Sequence, residues 1–230
     1  MNWRNPIAVF CMTTVILCPF VFGQVQARKI SRPEVSARAT LIRAIDNSKK
    51  SKDITVTTTG LLNDHIKFEG VLYYVAPNRF QSKGVINVAE KNTIEIAGKR
   101  FDYWNGQWIH SQTNYFPLFE QLVDLHLPTY TSKKNDAIRI KKFSVSKINT
   151  EDLNGVLHTV FEYKASTNDD EIYDSGKAWV NNSTQKISRL ETIGTIGVNE
   201  SKSVMLFAYD SGLRIDAPST YITKEWFSDK

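Results

Sequence analysis

Eighteen residues, Thr93 to His110 (TIEIAGKRFDYWNGQWIH), carry two tight-turn signals and constrain the chain more than any other stretch. Asn105-Gly106 is the strongest short type I′ hairpin signal, and Gly98-Lys99 puts glycine first, as a type II′ turn requires. With two-residue loops at both, Ala97 pairs with Arg100, so Ile96 faces Phe101 and Ile94 faces Tyr103. Trp104 then pairs with Gln107, Tyr103 with Trp108, and Phe101 with His110. Side chains alternate faces along a strand. Ile94, Ile96, Phe101, Tyr103 and Trp108 therefore share one side of a three-stranded meander, while Thr93, Glu95, Arg100, Asp102, Trp104, Gln107 and Ile109 share the other. The first side is apolar and needs a cover.

The rest of the chain suits a sheet that large. From Asp53 the hydrophobic period is two, and Ile54 to Thr59 is β-branched throughout. Gly60 to His65 reads as a loop, Ile66 to Val75 as a second strand with Gly70 as a bulge where the sheet curves, and Arg79 to Ala89 as a third. A second series is expected at 137–148, 156–165, 175–180, 186–196 and 202–209, joined by short turns such as Asn154-Gly155. Two helices interrupt this pattern. One is expected from Pro33 to Lys49, opened by the capping-box spacing Ser31-Arg32-Pro33-Glu34, with Val35, Ala39, Ile42 and Ile45 on its apolar face. The other runs from Pro117 to Leu127 with Leu118, Leu122 and Leu125 on one face, and is the natural cover for the aromatic meander.

Consecutive strands with short turns make an antiparallel meander, and about eleven such strands curl into a barrel or half-barrel rather than stay flat. The expected fold is mainly β (α+β): a single curved antiparallel half-barrel whose helices cover its concave face. No stretch reads as a linker, so residues 24–230 are expected to form one domain and a monomer.

Residues 1–23 read as a secretory signal peptide. Arg4 precedes an apolar run from Ile7 to Phe22, and small-residue sites follow, with cleavage after Gly23 or as late as Ala27. The rival is a membrane anchor, since the run approaches the roughly 17–25 residues that span a bilayer. Both cysteines, Cys11 and Cys18, lie inside this segment, so an exported chain has neither disulfide nor reactive thiol. Lipidation at Cys18 is the minority alternative, because Leu17 is large for the residue before a lipidated cysteine. The segment holds one base and no acid, so its removal takes the net charge from +5 to +4. That charge is modest and dispersed, which argues against nucleic acid and leaves a membrane surface or envelope protein as partner.

Several motifs resemble the LolA/LolB-like periplasmic lipoprotein carriers. Gly70 to Phe80 (GVLYYVAPNRF) is similar to their strand-turn-strand with a Y-x-x-P-x-R-F core, and Ile96 to Phe101 with Asn105 to Trp108 resembles their hairpins. Ala178 to Asn182 with Arg189-Leu190-Glu191, and Tyr209 to Pro218 (YDSGLRIDAP), resemble segments of related mycobacterial lipoproteins. The resemblance implies a half-barrel enclosing an apolar cavity for acyl chains, with neither catalysis nor cofactor. It also implies an alternative, an envelope regulator that senses stress on the same fold.

The candidate cavity lining is Ile54, Val56, Phe68, Ile94, Ile96, Phe101, Tyr103 and Trp108, with Leu118 and Leu122 as cover. The plain counter-reading is that these residues pack only against one another. Enzyme readings have little to stand on. His65, His110, His126 and His158 are far apart without zinc spacing, and there is no nucleophile elbow or phosphate loop. Asp169-Asp170-Glu171 lacks calcium-loop spacing and reads as a solvated turn. No metal is expected, and a secreted hydrolase is the least favoured reading.

Overall fold

The computed structural model describes residues 36–87, 89–112, 126–128, 130, 142–166, 172–196 and 199–223. The chain divides between Glu34 and Val35, and every described residue belongs to the second unit, Val35–Lys230. Helix α1 spans Ala37–Lys49. The strands are β1 Asp53–Leu62, β2 Ile66–Val75, β3 Arg79–Ile86, β4 Ala89–Ile96, β5 Lys99–Trp104, β6 Gln107–Gln112, β7 Lys142–Leu153, β8 Val156–Ser166, β9 Ile172–Asn181, β10 Ile187–Ile196, β11 Asn199–Tyr209 and β12 Ile222–Thr223. All twelve form one open curved sheet in the order β12-β6-β5-β4-β3-β2-β1-β11-β10-β9-β8-β7. Every pairing is antiparallel except the two-residue parallel bridge of β12 with β6. The half-barrel expected from the sequence is present, with β12 as an unforeseen extra strand.

The first strand is longer than expected, since Gly60 lies within β1 and the turn is confined to Asn63, Asp64 and His65. Asn63 and Asp64 take left-handed backbone angles, which asparagine and aspartate tolerate better than most residues. Gly70 is not a bulge, because β2 pairs with β1 and β3 without a register shift. It lies opposite Gly84, and a Cβ on either would come within 3.0 Å of the neighbouring strand's backbone. This pair lets two strands approach where the sheet bends. Gly176 does the same more severely, for a Cβ there would meet the Glu191 carbonyl oxygen at 1.9 Å.

The first tight hairpin also differs from expectation. Ala97 and Gly98, both at positive φ, are its central residues, so Ile96 pairs with Lys99 and Ile94 with Phe101. Two left-handed residues make the turn type I′ rather than II′. The pairing moves by two residues, which leaves every side chain on its expected face. The second hairpin is as expected, with Tyr103 opposite Trp108 and Phe101 opposite His110.

Helix α1 starts later than Pro33. Ser36 is its N-cap and accepts a hydrogen bond from the Ala39 N–H at 3.2 Å, while residues 31–34 lie outside the described residues. Its buried face is Leu41, Ala44, Ile45 and Ser48, and Ala39 is exposed. Ser48 is fully buried yet satisfied. Its hydroxyl donates to the Ala44 carbonyl at 2.9 Å and accepts from the Ile187 N–H at 3.1 Å, tying the last turn to β10. Of the second expected helix, Leu118 and Leu122 fall outside the described residues, and only His126 and Leu127 are seen, in a turn.

Candidate functional site

The strand register divides the sheet into two faces, and α1 marks one of them. Ile54 lies opposite Tyr74 on one side and Tyr209 on the other, and Tyr74 lies opposite Phe80. The neighbouring row joins Val56 to Leu72 and Phe207. All of these share the inner face with Met205, Leu190, Ala178, Phe161 and Tyr163. Leu41 and Ile45 of α1 belong to the same buried cluster. The helix touches β7, β9 and β10, so it covers the second half of this face. Toward β2 and β3 the apolar surface continues through Leu72, Phe80 and Phe68, which are only partly buried, and ends at Ile86, opposite Phe68 and 49% exposed.

Several polar groups on this face are held by partners, although the buried Thr58 hydroxyl has none among the described residues. Tyr163 donates to the Asp174 carboxylate at 3.1 Å, and the same oxygen accepts from Thr192 at 2.8 Å. Burial, and secondarily the Asp174 charge, push the Tyr163 phenol well above its ordinary range. Burial also raises the phenols of Tyr74, whose hydroxyl pairs with His126 Nδ1 at 2.9 Å, and of Tyr209, which donates to the Ile187 carbonyl at 2.6 Å. Beyond Phe80 the inner face turns polar. Arg100 makes a two-pronged contact with Asp102 at 2.8 and 3.0 Å and reaches Glu95 at 3.2 Å, while Thr93 donates to Asp102 at 2.7 Å. Burial raises the Glu95 carboxyl, with Arg100 offsetting only part of it. For Asp102 burial pulls upward, but the hydrogen bonds from Arg100 and Thr93 and the charges of Arg100 and Lys91 leave it lowered. The apolar field is therefore bounded by α1 on one side and by this carboxylate–arginine network on the other.

The candidate lining residues do not converge. Ile54, Val56 and Phe68 are on the inner face, the first two fully buried in the cluster that also holds Leu41 and Ile45 of α1. Ile94, Ile96, Phe101, Tyr103 and Trp108 are on the opposite, outer face, because Phe80 pairs with Glu95 and not with Ile94. The physical reason is the turn between β3 and β4. The turns after β1 and β2 hold three residues, so even-numbered positions stay on one face from β1 to β3. Ile86 pairs with Ala89 across only two residues, which exchanges odd and even faces. The aromatic meander does receive a cover, but from the C-terminal segment. Leu213 and Ile215 pack on Ile94 and Phe101, and the Tyr221 ring lies 5.1 Å from Phe101 and 5.5 Å from His110. Arg79 fastens this segment by donating to the Ile215 carbonyl. Leu72, Phe80, Ile86 and Phe207 were missed as inner-face residues, although the alternation of Phe161, Tyr163 and Ala165 in β8 carries the same signal in plain form.

Two grooves of about 900 Å³ and 870 Å³ also cross the sheet, sharing Thr59, Glu69 and Val85. The larger one runs over the inner-face row Phe68, Gly60, Ser203, Thr192, Gly176 and Tyr163, each strand's flanking residues completing its rim. Its exposed lining is more apolar than polar. Among the described residues no cluster of histidine, cysteine, aspartate or glutamate is placed to hold a metal ion, and no helix is long and apolar enough to cross a membrane.

No protein-family model matches the sequence, and no curated protein matches it. Solved structures do. The lipoprotein LppX of Mycobacterium tuberculosis superposes with a TM-score of 0.51 at 12% identity, over 79% of this chain and 100% of that one. LprF from Mycobacterium bovis gives 0.54 at 8% identity, over 81% and 98%. A LolA superfamily protein from Nitrosomonas europaea also matches, with a TM-score of 0.27 at 12% identity over 84% and 100%. The chain shares the fold of the lipoprotein LppX and of LprF. At such identities the likeness is one of architecture alone.

Proposed function

We propose that this LolA-like protein is an exported binding protein that carries a lipid, or the acyl chains of an acylated protein, against the inner face of its half-barrel, without catalysis. One observation carries the reading. The apolar inner face extends past the helix that covers it, through Leu72, Phe80 and Phe68 to the exposed Ile86. An acyl chain suits such a surface because each buried methylene contributes about 0.8 kcal/mol, so a chain of ordinary length gains on the order of 10 kcal/mol on leaving water. No precisely aimed polar group is needed, and the inner-face tyrosines are already committed to structural partners. The signal-peptide reading of residues 1–23 fits a carrier that works in the cell envelope.

The test is uptake of a fluorescent fatty acid, paired with native mass spectrometry of protein purified from its own host. Bound acyl chains are expected, and Leu72→Glu or Phe80→Glu should abolish uptake while Ile94→Ala, on the other face, leaves it intact. A chain that emerges clean and takes up no fatty acid defeats the proposal.

A further inference from the structure

The end of the sheet where the inner face stops holds the most exposed aromatic residue among the described residues. Three turns meet there, after β1, β3 and β5. The β5–β6 turn, Asn105-Gly106, is flanked by Trp104, 60% exposed, and by Tyr103, 43% exposed. Alternation sends these rings to opposite faces of the hairpin, so the tip is aromatic on both sides. Tyr103 is steadied by an edge-on contact with Trp108 at 5.2 Å. Ile86, at the end of β3, is exposed on the same face as Trp104. Two lysines, Lys83 and Lys91, and two glutamates, Glu69 and Glu90, share a groove with the hairpin tip; among the described residues none of the four is in an ion pair, and the Lys91 charge acts at longer range on Asp102.

We propose that the β5–β6 hairpin, with Trp104 at its tip, is the element by which this chain rests on a bilayer of zwitterionic lipid. Tryptophan and tyrosine favour the headgroup layer because an apolar ring and a polar N–H or O–H are satisfied together only there. The four charges match such a surface, ammonium groups for the lipid phosphate and carboxylates for its amine, and their balance gives no preference for negatively charged membranes. The purpose of the docking rests on the carrier reading. With Ile86 and Trp104 at the bilayer surface, an acyl chain passes between membrane and inner face without crossing water.

The experiment uses the full chain labelled with fluorotryptophan and mixed with phosphatidylcholine vesicles carrying a nitroxide lipid. A residue-specific signal is needed because the apolar segment 7–22 would bring any variant to vesicles. The Trp104 fluorine resonance, identified by its loss in Trp104→Phe, should broaden severalfold more than that of buried Trp179, and equally when phosphatidylglycerol is added. An unbroadened Trp104 resonance overturns the proposal, as does broadening that appears only with phosphatidylglycerol. Fatty-acid uptake measured on the same sample without vesicles tests the carrier reading separately. Its failure beside a broadened Trp104 would sink that reading and leave the docking surface standing.

Discussion

Replacing Asp53 by alanine should detach the C-terminal segment from the outer face and leave cargo uptake untouched. Asp53 is buried at the start of β1, and its carboxylate accepts four hydrogen bonds from one short stretch. Ser211 donates through its N–H at 2.9 Å and its hydroxyl at 2.8 Å, Gly212 through its N–H at 3.0 Å, and Leu213 at 3.3 Å. Gly212 adopts φ +73°, which lets successive N–H groups turn toward the one acceptor. This clamp starts the path that lays Leu213 and Ile215 on Ile94 and Phe101. A hydrogen bond to a charged group is worth about 1.5–3 kcal/mol net, but the four losses do not add, because amides that peel away regain water. The ceiling is detachment of the segment, including the burial of Ile215, itself about 1.5–3 kcal/mol. We expect a loss of about 3–5 kcal/mol, a large share of the roughly 5–15 kcal/mol that holds a typical domain. Urea unfolding followed by tryptophan fluorescence reads the change, and amide exchange at residues 211–223 locates it. Asp53→Asn should cost nearly as much, since its NH₂ would face N–H donors. A loss below about 1 kcal/mol with unchanged protection at those amides would refute the clamp. Loss of fatty-acid uptake in a variant still folded at the assay temperature would refute the separation of the two faces.

Other expectations follow from the same geometry. Gly176→Val places a side chain on the Glu191 carbonyl, and overpacking of that kind costs about 1–3 kcal/mol or more, visible as a lower Tm. Leu41→Ala should cost about 2–5 kcal/mol by urea titration, while Ala39→Glu, on the exposed side of α1, should stay within about 0.5 kcal/mol. Tyr74, Tyr163 and Tyr209 all have phenols raised above 10.0, so the folded chain holds their protons more tightly than the unfolded one. Their contribution is complete below pH 10 and falls as pH rises above it, by about 1.4 kcal/mol per pH unit for each tyrosine. The urea midpoint should therefore decline from about pH 10 upward, less steeply in Tyr163→Phe, and an unchanged slope in that variant would contradict the assignment.

Much of this fold was legible because local rules and the global sheet agree. Ile66–Val75 reads as a strand from period and composition alone, and the Asn105-Gly106 hairpin has the register its dipeptide dictates. The helix face was displaced because Val35, Ala39, Ile42 and Ile45 and the observed Leu41, Ala44, Ile45 and Ser48 are both fair helical stripes. The choice falls to Ser48, a polar residue that apolar counting passes over and that β10 holds through the Ile187 N–H. The tail was illegible for a similar reason, since Asp53 and the Ser211–Leu213 amides are far apart in sequence and neither end alone resembles a binding partner.

The misplacement of the site has a different origin, and it bears on how half-barrels are read. Periodicity identified two apolar rows correctly, Ile54 with Val56 and Phe68, and Ile94 with Ile96 and Phe101. Whether two rows share a face depends only on turn lengths between them, because each three-residue turn preserves the parity of facing positions and each two-residue turn reverses it. The single decisive step is the connection from Ile86 to Ala89. Adding one residue to that turn would offer Ile94 and Phe101 to the inner face and send Glu95, Arg100 and Asp102 outward, at the cost of burying the wrong set under the C-terminal segment. An insertion after Asn87 should therefore force either a bulge that restores the native pairing or a β4–β6 unit that no longer docks Leu213 and Ile215. Amide exchange across β3 and β4 distinguishes the two. A variant that kept unshifted pairing, without a bulge and with the tail still protected, would show that something other than turn length assigns the aromatic meander to the outer face.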